Sequence, residues 1–424
     1  MSTLENPLEI LQDPEVRGYL MGILESNLTN EQKYQKLIDC FARIGQVTER
    51  MMSHAGELIA GSKEQVQHIT SQVGQDMNLH RKVQQTEDAI VRAVRRLSRS
   101  QHSDGGWGFQ FDVSNFWGTA YAVLCLNAAQ ELENLAYDVD VAGMLQRGLS
   151  WIGSHPEMWA VEYINPGSGM PVYEISLAVR CFYQAGQPRL EAIPPTVSYS
   201  IERLVQAQNE DGGWDAQVWG FDVTTPTRCY SEVGATSAAL QALGEVRQAD
   251  YRAIVERAIR WLTATQNADG SWNSGSCHPG QEGLSGSPAL NKTCDALQGM
   301  LVGQAFEIDL RPLGGRINRA VEWLRGEERP IFDAEGNIEG WGWGHYENTC
   351  LTLETLVKMP DAPLPLLSAN AQWLLKTQTR QEGDVQDGNW QQWHTARIAL
   401  SLIAYYQIIK KSSLFDEPQR PADE

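Results

Sequence analysis

The 424-residue sequence predicts an all-α fold: an (α/α)6 barrel of six outer and six inner helices, preceded by a helical N-terminal extension. Three observations carry that expectation. A short phrase recurs along the chain, with SQHSDGGWG ending at Gly108, AQNEDGGWD at Asp215, TQNADGSWN at Asn273 and VQDGNWQ at Gln391, and degenerate copies near Trp159 and Trp341. The six tryptophans Trp107, Trp159, Trp214, Trp272, Trp341 and Trp390 fall roughly 50 to 70 residues apart, so each unit holds two full helices and a loop. Each unit also pairs one amphipathic helix with one nearly continuous apolar helix.

The amphipathic segments are Ala89 to Gln101, Met144 to Ser154, Ile201 to Gln208, Tyr251 to Gln266, Ile317 to Gly326 and Asn370 to Thr377. They mix Arg, Glu and Gln with apolar residues at helical spacing, the mark of an outer helix. The partners TAYAVLCLNAA from Thr119, EISLAVRCF from Glu174, GATSAALQAL from Gly234, KTCDALQGML from Lys292, ENTCLTLETL from Glu347 and TARIALSLIA from Thr395 are small and apolar. A helix apolar on all sides is expected to be buried on all sides, hence the inner ring. Within the phrase, Gly turns the chain, Asp brackets the turn, and Trp with Gln locks neighbouring helices together.

Residues 1–83 lie outside the repeat and read as a helical region without an assigned role, residues 84–410 as the barrel, and 411–424 as a flexible tail. A net charge of −19 argues against nucleic acid as a partner. Seven scattered Cys without a C-x-x-C pair read as reduced thiols in a cytoplasmic chain. The N-terminus lacks the basic and apolar regions of a signal peptide, and no apolar run is long enough to cross a membrane. Peripheral contact with a membrane would serve to collect an apolar substrate, and the oligomeric state is left open.

These phrases resemble those of the terpenoid cyclase and protein prenyltransferase superfamily, in particular the β domain of squalene-hopene-type class II cyclases. The similarity runs over about residues 85 to 407, and the Gly105 to Asp112 segment GGWGFQFD sharpens it. Length leaves no room for a second γ domain, so the resemblance is to the single-domain type. It implies proton-initiated cyclisation of a linear polyprenyl or prenylated aromatic substrate into fused rings, an isomerase reaction without a cofactor, Mg²⁺ entering only with a diphosphate substrate. The family acid, the middle Asp of D-x-D-D-T-A, is absent here, where the chain reads Asn115, Phe116, Trp117, Gly118, Thr119, Ala120.

An acid for such chemistry must stay protonated in a dry site beside aromatic faces. At the N-termini of the inner helices, where the repeat places the mouth, the candidates are Asp112 and Glu347, with Glu174 as a further acid or orienting group. His394 is placed to hydrogen-bond either Glu347 or Asp112. Asp138-Val139-Asp140 lies at the opposite end and reads as an N-cap. Phe109, Trp117, Tyr173, Tyr230, Trp343, Tyr346 and Trp393 form the expected aromatic wall, Phe109 matching a cavity-facing aromatic of the family. Two alternatives stand beside the cyclase: an isoprenoid-binding barrel that has lost the acid, and a prenyltransferase β-like subunit. Tyr346 to Cys350 resembles the zinc segment of the latter, but no D-x-C and no ligating His accompany it, so no metal site is expected.

Overall fold

The computed structural model describes Lys36 and residues 81–108, 113–132, 138–160, 170–186, 193–218, 230–277, 283–332, 338–343, 346–359, 364–383 and 392–415. The chain divides into two compact units, Met1–Asn78 and Leu79–Glu424. All but Lys36 of the first unit lies outside the described residues, as does the expected phrase at Trp390.

The second unit alternates outer and inner helices. The outer helices are α1 (81–100), α3 (Val141–Ser154), α5 (Pro195–Gln206), α7 (Arg252–Ala264), α9 (Gly314–Gly326) and α11 (Leu364–Gly383). The inner helices are α2 (Phe116–Gln130), α4 (Val172–Arg180, continued by a π-helical turn to Gly186), α6 (Val233–Val246), α8 (Leu290–Leu301), α10 (Tyr346–Leu356) and α12 (Gln392–Phe415). Each inner helix packs on the next, and α12 packs on α2, so the six close a ring. A solenoid would leave α2 and α12 apart. Three two-stranded antiparallel pairs dress the end at the inner-helix N-termini: β1 (Met170–Pro171) with β2 (Gln217–Val218), β3 (Ser231–Glu232) with β4 (Ser276–Cys277), and β5 (Arg329–Phe332) with β6 (Ile338–Gly342).

The repeated phrase is a clasp between three helices. Trp107, Trp214 and Trp272 are fully buried, and each indole N–H donates to a carbonyl near the end of its own outer helix: Leu97 at 2.8 Å, Leu204 at 2.8 Å and Leu262 at 2.8 Å. Their backbone N–H groups donate to Thr119, Thr236 and Thr293 on the following inner helix. The Gln side chain reaches onward: Gln101 Nε2 donates to Met144 O at 3.0 Å, Gln208 to Ile254 O at 2.9 Å and Gln266 to Arg316 O at 3.0 Å. Asp104, Asp211 and Asp269 close the turn by accepting from the N–H two residues on. Each bond satisfies a helix-end or turn group that would otherwise be buried without a partner.

The fifth clasp corrects one expectation. Trp343, not Trp341, occupies the clasp position, its N–H donating to Thr349 Oγ1 at 3.1 Å and its indole to Leu324 O at 2.7 Å. Trp341 keeps 43% of its surface exposed. Trp159 uses a shorter variant, donating to Ile152 O at 2.9 Å.

The clasp glycines are conformationally required. Gly105, Gly212 and Gly270 hold φ of +94°, +100° and +100°, and a Cβ on each would lie within 2.9 Å of the backbone of the neighbouring outer helix. Gly212→Ala is therefore expected to destabilise the barrel by about 2 kcal/mol or more, read as a lower midpoint in urea, because it adds both strain and a backbone clash.

Asp138 and Asp140 behave as helix-start residues at the far end. Asp140 caps α3, accepting from Gly143 N at 2.8 Å, and Asp138 pairs with Arg95 at 2.7 Å.

Candidate active site

The inner helices are not apolar all round, which corrects the sequence expectation. Sparse polar rows run along them at steps of seven and four residues, as in Tyr173, Arg180 and Gln184 on α4, or Glu347, Glu354 and Lys358 along and just beyond α10. Polar groups of these rows join across helices, Tyr173 with Lys292 and Arg397 with Tyr121 and Glu354. Tyr121, Tyr173, Lys292, Asp295, Glu354 and Arg397 keep accessible surface although the helices enclose them. Because these helices close a ring, we infer from that surface an internal hollow.

At the mouth, Tyr173 Oη donates to Glu232 Oε1 at 2.6 Å, and Lys292 Nζ donates to Tyr173 Oη at 3.3 Å, joining α4, the strand before α6, and α8. Burial first, then the carboxylate of Glu232, raises the Tyr173 phenol so that it stays protonated. Gly234 makes room for this trio, because a Cβ there would lie 2.2 Å from Tyr173 Oη and 2.5 Å from Lys292 Nζ. Trp117 stacks on Tyr121 with ring centres 6.2 Å apart.

The acid expected at the mouth takes several forms. Asn115 caps α2 by accepting from Gly118 N at 2.8 Å, and with Trp117 standing where the resemblance puts the middle Asp, this helix start carries no carboxyl. His394 Nε2 lies 3.4 Å from Glu347 Oε1, bringing together two of the residues singled out in the sequence. Glu174 has its pKa raised by burial, opposed by its own backbone N–H and by the Trp117 side chain. Asp112 and Phe109 lie outside the described residues. Tyr346 and Trp393 stand at the starts of α10 and α12, with side chains outside the described ones. Tyr230 is half-buried in the rim, its N–H donating to Asp215 at 3.1 Å. Trp343 belongs to the fifth clasp and is 3% exposed, so it holds helices together and does not wall the hollow.

One acid escaped the sequence reading. Asp295 sits on α8 one turn below Lys292, inside the ring, and burial pushes its pKa up to about 6 against the pull of Lys292 and Arg397, with Glu232 adding to the rise. Arg397 Nη1 donates to Tyr121 Oη at 2.7 Å and its Nε lies 3.4 Å from Glu354 Oε1. Burial works against the Arg397 charge, but Glu354 and Tyr121 outweigh it and hold the guanidinium protonated. The signal was present in KTCDALQGML: a carboxylate in the middle of a buried helix carries a large desolvation cost unless the site uses it.

Chemically, the hollow offers a carboxyl that titrates near neutrality, cations to stabilise its conjugate base, and aromatic faces above it. Among the described residues no group of His, Cys, Asp and Glu is arranged to hold a metal ion. The buried thiols Cys125, Cys181, Cys294 and Cys350 are pushed up to about 12 by burial and are inert fillers of the inner ring. A separate hollow of about 550 Å³, lined by Asp211, Arg260, Trp261, Ala264, Thr265, Cys277 and Gly283, shares no residue with this interior. No helix among the described residues is long and apolar enough to cross a membrane.

Residues 158–281 and 194–331 match the squalene-hopene cyclase C-terminal domain family. A squalene-hopene cyclase of Zymomonas mobilis is 22% identical over 245 residues, covering 52% of this chain and 34% of that protein. A (+)-kolavenyl diphosphate synthase of Herpetosiphon aurantiacus is 45% identical over 67 residues, 16% of this chain and 12% of that one. The chain thus spans about a third or less of the length of these relatives. Among solved structures, the type II terpene cyclase MstE from Scytonema, in complex with geranylgeranyl dihydroxybenzoate, superposes with TM-score 0.51 at 15% identity, over 78% of this chain and 99% of that one. An α-1,6-mannanase of Salegentibacter sp. superposes as well, with TM-score 0.52 at 11% identity over 76% and 98%. Structural likeness at this level fixes the barrel alone, and residues 158–331 are similar in sequence to the squalene-hopene cyclase C-terminal domain.

Proposed function

We propose that this barrel protonates a linear polyprenyl chain and folds it into fused rings, with Asp295 as the proton donor. The observation that carries the reading is a carboxyl with a pKa near 6 facing an enclosed hollow beside Tyr121 and Tyr173. At neutral pH a useful fraction is protonated. Once the proton leaves for the terminal alkene, Lys292 and Arg397 stabilise the carboxylate left behind, which strengthens the acid in the transition state. The positive charge then moves along the chain past the aromatic faces of Trp117, Tyr121 and Tyr173. A final proton loss returns the acid to its starting state.

Glu347 with His394 and Glu174 line the rim and serve as positioning groups in this scheme. The sequence match to the cyclase family favours the reading over a polysaccharide-cleaving barrel. The start of α2, where Trp117 stands in place of the middle Asp and Asn115 is a neutral cap, is the observation behind a second reading, a binding barrel that has lost the chemistry. Incubation with geranylgeranyl diphosphate and with geranylgeranyl dihydroxybenzoate, followed by mass spectrometry and NMR, separates them: a cyclised isomer of unchanged mass supports the cyclase. Absence of turnover across the panel favours the binding barrel, and release of diphosphate indicates ionisation chemistry instead. Glu347→Gln is expected to retain cyclisation within about tenfold, since the proton comes from elsewhere, and a loss comparable to that of Asp295→Asn would move the acid to the rim.

A further inference from the structure

The end of the hollow remote from the mouth has no role in the proton transfer just described, yet it gathers charge. Arg180 on α4 and Lys358 just beyond α10 face the same interior, with Arg397 above them. Two carboxylates share this end, and both are engaged: Glu354 with Arg397 at 3.4 Å and with Ser401 Oγ at 2.8 Å, Glu245 with Gln184 Nε2 at 2.6 Å. Among the described residues no carboxylate lies within 4 Å of Arg180 or Lys358. The Arg180 Nε is buried without a hydrogen-bond partner, and Lys358 Nζ has only the Gln298 carbonyl oxygen, at 3.5 Å. Burial and then the nearby Arg180 depress the Lys358 pKa, although the residue keeps accessible surface. Two neighbouring cations with no carboxylate in direct contact are costly, since Glu354 and Glu245 act on Lys358 only from a distance, and an incoming anion would offset the cost for both at once.

We propose that Arg180 and Lys358, with Arg397 above them, form a subsite for the anionic head group of the substrate, a carboxylate or a diphosphate. The inference rests on the cyclase reading and adds the substrate class and its direction: head toward the inner-helix C-termini, hydrocarbon toward the mouth. The axial register supports it. A hydrogen bond between Cys294 and Thr352 and one from Gln298 Nε2 to Thr355 Oγ1 align α8 with α10. Lys358 then lies about five residues beyond the level of Asp295, roughly 8 Å at 1.5 Å per residue. That is far shorter than an extended polyprenyl chain, so a substrate touching both must fold back on itself, as ring closure requires.

Calorimetric titration of the full chain with geranylgeranyl diphosphate, geranylgeranyl dihydroxybenzoate and neutral geranylgeraniol tests this. At least one anionic ligand is expected to bind ten times or more tighter than geranylgeraniol, in a salt-dependent manner. Lys358→Met and Arg180→Met are expected to remove that advantage while leaving geranylgeraniol binding unchanged, and Lys358→Arg, which keeps the charge, to retain most of it. The anion that loses more in the Met variants identifies the head group. Equal binding of all three ligands, or Met variants that bind the anions as the parent does, would overturn the subsite. The two proposals fail separately: tight, Lys358-dependent binding without cyclised product sinks the cyclase reading alone, whereas unchanged cyclisation and binding in Lys358→Met sinks the subsite alone.

Discussion

Asp295→Asn is expected to lower kcat by roughly 10²- to 10⁴-fold, the span a positioned general acid contributes, with substrate binding retained. The same substitution is expected to make the protein more stable. The Asp295 pKa is raised from 3.8 to about 6 on folding, so between those values the folded state holds the proton and the unfolded state releases it. Stability from this group is fully present below about pH 4 and is lost as pH rises through 6, by no more than about 3 kcal/mol. Asparagine carries no such dependence. Thermal unfolding should therefore show Asp295→Asn above the parent at pH 7.5, and the two converging near pH 4. The parent's turnover should fall as pH rises above about 6, as the protonated fraction shrinks. A variant that loses stability at pH 7.5 and keeps its activity would remove Asp295 from the chemistry.

The second large effect concerns the clasps. Trp343→Ala is expected to destabilise the barrel by about 3 to 5 kcal/mol, since it empties a fully packed site and leaves the Leu324 carbonyl without its donor. Trp341→Ala, two residues earlier and 43% exposed, is expected to cost less than about 1 kcal/mol. Urea unfolding of the pair checks this. Comparable losses in both would mean that the fifth clasp is shared between them.

The ring was legible because its joints repeat. Each clasp must satisfy the same three helix-end groups, so Gln, Asp, Gly and Trp return at fixed offsets, and the sequence displays them even where the helices differ. The fifth unit misled for a physical reason: its Trp sits one β-strand alternation away from an exposed Trp in Ile338–Gly342, and spacing alone does not distinguish them. The interior was less legible. A row such as Tyr173, Arg180 and Gln184 puts one polar group per turn or two into a helix that is otherwise apolar, and average hydrophobicity hides it. Asp295 is hidden in the sequence because it stands in mid-helix, whereas carboxylates at helix starts, where caps and catalytic acids look alike, are conspicuous. The pairing of His394 with Glu347 was readable, since ring closure brings the starts of α10 and α12 together.

The central claim, that the reaction begins with a proton delivered inside the ring, is tested most directly by running the cyclisation in D₂O. The account predicts a cyclised product one mass unit heavier than the substrate, with a single deuterium on the carbon that was the terminal alkene, and no such product from Asp295→Asn. A cyclised product without deuterium, or one formed with loss of a head group, would contradict it.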